Sequence, residues 1–145
     1  MTEVAFHFNA PDRLDYICRL ARKAVAAGAR VVVTGEAAFL RELDRALWTF
    51  SPLEFLAHCD AATAGRVALA KSRVVLAGTP RMAPHQEVLL NPGGPVPDGF
   101  ERFGRLIEVV TGAPEDRQQA RQRWKHYANR GYAITSHDLA SQEGG

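Results

Sequence analysis

Residues 29–34, ARVVVT, set three consecutive valines and a threonine between two stretches whose apolar residues recur at helical spacing. A continuous β-branched run marks a strand buried on both faces, as in a parallel sheet with helices above and below. Upstream, Val4, Phe6 and Phe8 alternate with polar or small neighbours over residues 3–9, and Pro11-Asp12 ends the run. From Asp12 to Gly28 the apolar positions, among them Leu14, Ile17, Cys18 and Ala21, line one face of a helix for which Gly28 is a natural stop. Strand, helix and strand in this order form a βαβ unit, whose crossover is expected to be right-handed.

The rest of the chain repeats the pattern. A second helix is predicted from Glu36 to about Thr49, with Phe39, Leu40, Leu43, Leu47 and Trp48 at helical intervals, and Pro52 breaks the regularity that follows. Residues 73–78, 86–90 and 105–110 read as strands, and the prolines and glycines between 78 and 99 as turns and loops framing the middle one. A last helix is predicted over 115–130, stopped by Gly131. The expected fold is α/β: a single-domain, Rossmann-like three-layer structure with a mostly parallel central sheet and helices on both faces. One domain over residues 1–140 and a frayed tail at 141–145 are expected, with no repeat or linker.

Composition excludes several classes. With 46% hydrophobic and 23% charged residues, the 145-residue chain is unlike a disordered segment. Eighteen basic and sixteen acidic residues leave a formal charge of +2, too small to indicate nucleic-acid coating or membrane binding. Cys18 and Cys59 stand far apart, which argues against a disulfide scaffold or a cysteine zinc site. No stretch approaches the ~20 apolar residues of a spanning helix, and the start carries no long apolar leader, so a reduced, cytoplasmic protein is expected.

Strong enzymatic motifs are absent. Asn9, Ala10, Pro11 and Asp12 follow the first strand where a dinucleotide fold would carry G-x-G-x-x-G, and no P-loop occurs. Those four residues are expected to cap a helix rather than bind an anion. The five histidines form no H-x-x-x-H or H-x-H pair, His58 beside Cys59 is read as structural, and no nucleophile elbow is present. No catalytic residue, metal or cofactor is assigned.

Two segments carry positive signals. In the last helix Arg117, Arg121 and Lys125 stand at i, i+4 and i+8, a slowly drifting basic stripe with Trp124 beside it. With Arg123 and Arg130, residues 117–130 hold five cations and no acid, about +5. A helix with its aromatic side on the core and its cations solvated is one reading. The other is a site for an acidic peptide or a nucleic-acid backbone, since arginine offers a planar fork to either carboxylate or phosphate. The second segment crowds Trp48, Phe50, Phe55 and Leu56 around Pro52. Burial of most of them competes with an exposed aromatic patch for a protein partner.

Four motifs in order, A-L-W-x-F-x-P-x-x-F-L-x-H at 46–58, L-N-P at 90–92, F-x-R-L-I-E-V-V at 103–110 and A-R-x-R-W-K-x-Y-x-x-x-G-Y at 120–132, resemble the chi subunit of bacterial DNA polymerase III holoenzyme over nearly the whole chain. The resemblance implies a non-catalytic clamp-loader accessory subunit of a DNA-directed DNA polymerase assembly, at the replisome and associated with the nucleoid. Its implied partners are the psi subunit, which tethers it to the clamp loader, and the acidic C-terminal tail of single-stranded DNA-binding protein, with DNA met mainly indirectly. The tail-binding arginine falls on Arg121, the following aromatic-lysine pair on Trp124 and Lys125, and Arg117 adds a cation. The resemblance also implies an apolar pocket near Val109 and Val110. The psi-facing aromatics correspond to Trp48 and Phe55, with Ala57 where a proline is common. Direct single-strand binding by the same cations and Trp124 is the main alternative; a nucleotide-binding enzyme on the Rossmann-like layout is a third.

Overall fold

The computed structural model describes residues 1–49, 58–62, 64–65 and 72–140. Among these residues seven strands are formed: β1 (Glu3–Ala10), β2 (Val31–Thr34), β3 (His58–Asp60), β4 (Val74–Ala77), β5 (Val88–Asn91), β6 (Arg105–Thr111) and β7 (Ile134–Asp138). They make one sheet in the order β3-β4-β2-β5-β6-β1-β7. Every pairing is parallel, so the sheet is wholly rather than mostly parallel. Although β1 and β2 flank the first helix, β5 and β6 come between them. The three described helices are α1 (Arg13–Ala26), α2 (Ala37–Thr49) and α3 (Pro114–Asn129).

Alternation along the strands assigns each side chain to a layer. Val31, Val33, Val74, Leu76, Leu90, Ile107 and Val109 pack with Ile17, Cys18 and Ala21 of α1 and with Leu40, Leu43 and Leu47 of α2. The opposite face sets Phe6, Val32, Val75, Leu89, Leu106 and Val110 against Ala120 and Tyr127 of α3 and the Phe100 and Phe103 loop. The buried valine run of β2 thus contributes to both cores, as its composition requires. Asp12 caps α1 by accepting from the Asp15 N–H at 3.1 Å, the plain helix cap expected of that segment.

One irregularity in β1 matters for the site. The register slips between His7 and Ala10, and Asn9 takes a left-handed φ of 62°, a conformation asparagine tolerates. Phe8 therefore stays on the α3 side while Ala10 turns to the α1 side, and Asn9 is delivered to a surface cavity.

Helix α3 is fixed to the sheet by polar groups as well as apolar ones. Pro114 opens it, and Glu115 and Asp116 lie in its first turn, where carboxylates suit the helix dipole. The Asp116 carboxylate accepts from the Thr111 N–H at 2.7 Å and the Thr111 hydroxyl at 3.0 Å, and pairs with Arg13 at 2.7 Å. A side chain at position 93 would meet Asp116 Oδ1 at 3.3 Å, and φ there is 152°, which accounts for Gly93.

Deeper in, Glu108 of β6 stands in register with Asn91 of β5. Its Oε1 accepts from Asn91 Nδ2 at 2.8 Å and from Arg123 Nε at 3.0 Å, while Tyr127 donates its hydroxyl to Oε2 at 2.5 Å. Arg123 also donates through Nη1 to the Gly94 carbonyl at 2.7 Å. Arg123 is only 2% exposed and Glu108 fully buried, so Arg123 does not belong to the solvated basic surface that a charge count suggests. Positions 116, 120, 123 and 127 form the helix face turned to the sheet, and position 123 meets the Glu108 carboxylate there. Burial pushes the Glu108 carboxyl up, with Arg123 and the neutral donors pulling against it. Burial and the neighbouring carboxylate push the Tyr127 phenol up.

Candidate interaction site on the last helix

With one face of α3 on the sheet, two flanks remain. Gln119, Gln122 and His126 border a crevice of about 1100 Å³ outside the carboxyl ends of β2 and β5, completed by the Pro92–Pro97 loop. This is where ligands sit in open α/β sheets. The arginines lining it, Arg13 and Arg123, are engaged by Asp116 and Glu108, and Glu36, Asp98 and Asp116 add negative charge. The crevice therefore offers no uncommitted arginine for a phosphate.

The other flank differs. Arg117, Arg121, Trp124 and Lys125 line a cavity of about 520 Å³ together with Ala120, Phe8, Asn9 and Asp138. All four residues assigned from the sequence to tail binding thus meet in one place. Trp124 is half-buried, its ring 4.9 Å from that of Phe6 and 6.3 Å from that of Phe8. It forms the apolar wall of the cavity rather than a projecting platform. Arg117, Arg121 and Lys125 are exposed, and none has an ion-pair partner among the described residues. The fixed opposing charge is Asp138, whose Oδ1 accepts from Asn9 Nδ2 at 2.8 Å and from the Ala140 N–H at 3.0 Å. Three cations against one engaged carboxylate leave an acid-seeking concavity with an apolar wall.

The apolar pocket expected near Val109 and Val110 lies elsewhere. Both valines are completely buried, Val109 in the α1 layer and Val110 in the α3 layer, because β6 is interior to the sheet and covered on both faces. Phe8, Ala120 and Trp124 supply that wall instead. Asn9 and Asp138 were not singled out as site residues from the sequence. The left-handed asparagine leaves no sequence signal beyond its residue type, and Asp138 ends a strand too polar to show an apolar alternation.

Of the aromatic pair assigned to psi, Trp48 ends α2 with 55% of its surface exposed and its ring 4.5 Å from His58. Phe55, with Phe50, Pro52 and Leu56, lies outside the described residues. His58 is buried, its Nε2 3.4 Å from Asp44 Oδ1, as a structural histidine would be. Among the described residues no helix is long and apolar enough to cross a membrane.

Comparison with known proteins agrees with the family resemblance. The sequence model of the family described as DNA polymerase III chi subunit, HolC, matches residues 1–135. A curated relative named DNA polymerase III subunit chi, from Pseudomonas aeruginosa, is 31% identical over 144 residues, covering 96% of this chain and 98% of the relative.

Proposed function

The chain belongs to the DNA polymerase III chi subunit family, and on that premise we propose that it is a non-catalytic adaptor with two protein-binding faces. The flank of α3 carrying Arg117, Arg121, Trp124 and Lys125 takes the acidic C-terminal tail of single-stranded DNA-binding protein. The exposed end of α2 at Trp48, with Phe55, takes psi and so joins the clamp loader. This work belongs to the replisome in the cytoplasm.

The observation that carries the reading is the convergence of three uncommitted cations and an aromatic wall on one cavity. A peptide terminus brings a carboxylate for the Arg121 fork, an apolar side chain for the wall, and further acids for the remaining cations. The packed Trp124 ring suits an apolar side chain better than a stacked base, which disfavours direct single-strand binding.

Titration of a labelled tail peptide is the test. Arg121→Ala is expected to weaken binding at least tenfold, and affinity should fall as salt rises. Unchanged affinity in that variant refutes the site. Tight oligonucleotide binding at moderate salt, without single-stranded DNA-binding protein, would favour direct DNA recognition instead.

A further inference from the structure

The cavity opens beside an exposed edge of the sheet. Strand β7 is terminal in the strand order, and its residues from Thr135 to Asp138 are exposed. The hydrogen bonding shows which backbone groups face outward. Val4 N–H donates to the Ala133 carbonyl at 3.1 Å, whereas Glu3 N–H donates across β1's other side to Gly104 at 3.0 Å. In a parallel ladder the β7 residues that answer Val4, Phe6 and Phe8 are Ala133, Thr135 and His137. The N–H and C=O groups of Ile134 and Ser136 therefore point away from the sheet, and so do those of Asp138.

Edge strands are ordinarily shielded by proline, lysine, a bulge or shortness. The opposite edge, β3, is three residues long. Strand β7 runs ITSHD, five residues without proline or lysine, and its five pairings to β1 show no slip. Its length of about 13 Å matches the about 12 Å along the helix from Arg117 to Lys125. Because α3 runs back between two parallel strands, Arg117 and Arg121 lie toward the carboxyl end of β7, where Asp138 reaches the cavity, and Lys125 lies further back along the strand.

We infer that the acidic tail docks by strand addition: it extends the sheet as an eighth, parallel strand on β7, its terminal carboxylate at Arg117 and Arg121 and its preceding acids alongside Lys125. This rests on the tail-docking function proposed above and adds the mode of recognition. Backbone bonds to Ile134 and Ser136 supply affinity independent of side chains, and the basic stripe selects an acidic strand over any other. Alternate side chains of the added strand face α3, so an aromatic one enters the Trp124 cavity while its neighbours stay in solvent.

The test uses the full chain and a synthetic tail peptide of single-stranded DNA-binding protein. Ser136→Pro removes one outward N–H at an edge position where proline does not disturb the existing ladder. It should leave the melting temperature nearly unchanged and weaken the peptide about tenfold. Peptides N-methylated at successive single positions should lose affinity with a period of two, which needs no protein variant. The Ile134 and Ser136 amides should gain hydrogen-exchange protection on binding. If Arg121→Ala weakens the peptide but Ser136→Pro, N-methylation and exchange show no effect, strand addition is overturned and the cavity stands. If Arg121→Ala leaves affinity unchanged, the tail-docking function itself fails.

Discussion

Replacing Arg123 with methionine isolates the buried ion pair that holds α3 to the sheet. Methionine keeps most of the side-chain bulk, so the change removes charge and donors rather than volume. Glu108 is then left fully buried with only the neutral donors Asn91 and Tyr127. Breaking a buried pair on one side costs about 3–5 kcal/mol. The two remaining hydrogen bonds, and the option of taking up a proton, put this case near about 3 kcal/mol. For a chain of this size that corresponds to a melting temperature lower by about 10 °C. The pH dependence gives a second readout. Without Arg123, the Glu108 carboxyl is raised further above its unfolded value, so the penalty is full at neutral pH and shrinks as pH falls toward that value. The gap between wild type and Arg123→Met, measured by urea unfolding, should therefore narrow from pH 7 to pH 5. Adding Glu108→Gln should recover part of the loss. A loss under about 1 kcal/mol, or a gap constant with pH, would refute the assignment of Arg123 as a buried counter-ion.

Three further outcomes follow from the same geometry. Asp116→Ala should lower stability by about 2–3 kcal/mol in urea unfolding, since Thr111 and Arg13 both lose their acceptor, and a change under about 0.5 kcal/mol would deny that anchor. Burial and the nearby His137 hold His7 down at about 4, below its ordinary 6.5, so stability from the neutral ring is present above pH 6.5 and lost as pH falls through 4. After discounting for solvent screening this amounts to about 1 kcal/mol, and His7→Gln should flatten that part of a melting-temperature profile. Trp48→Ala should change stability by less than about 1 kcal/mol because the ring is largely exposed, yet lower affinity for psi at least tenfold in a titration.

The elements easiest to read from sequence are those whose side chains declare a period. The valine run of β2, the alternation of β1 and the apolar faces of α1 and α2 all lie within a few residues of their expected bounds. Strands β3 and β7 are different. HCD is too short to show alternation, and ITSHD is an exposed edge strand whose polar composition imitates a loop. The stripe of Arg117, Arg121 and Lys125 was legible because helical spacing alone sets it. Arg123 was not separable from it by counting charge, since its burial depends on Glu108, which β6 supplies from fifteen residues away. The same cluster explains much of the motif pattern. Asn91, Glu108, Arg123 and Tyr127 come from three separate motifs and meet at one carboxylate, so these motif positions hold α3 to the sheet.

The position of β1 sets an order of events during synthesis. It is the first strand made, yet its hydrogen-bonding partners β6 and β7 begin at residues 105 and 134. Until they emerge, Phe6 and Phe8 have neither a ladder nor the Trp124 ring to cover them, and the nascent chain carries an unpaired apolar strand. The acid-seeking cavity draws Phe8 and Asn9 from one end of the sequence and Arg117 to Asp138 from the other. A chain cut short before β6 would therefore lack the cavity altogether and leave both edges of β1 without their partners, making it a substrate for chaperones rather than a partial adaptor.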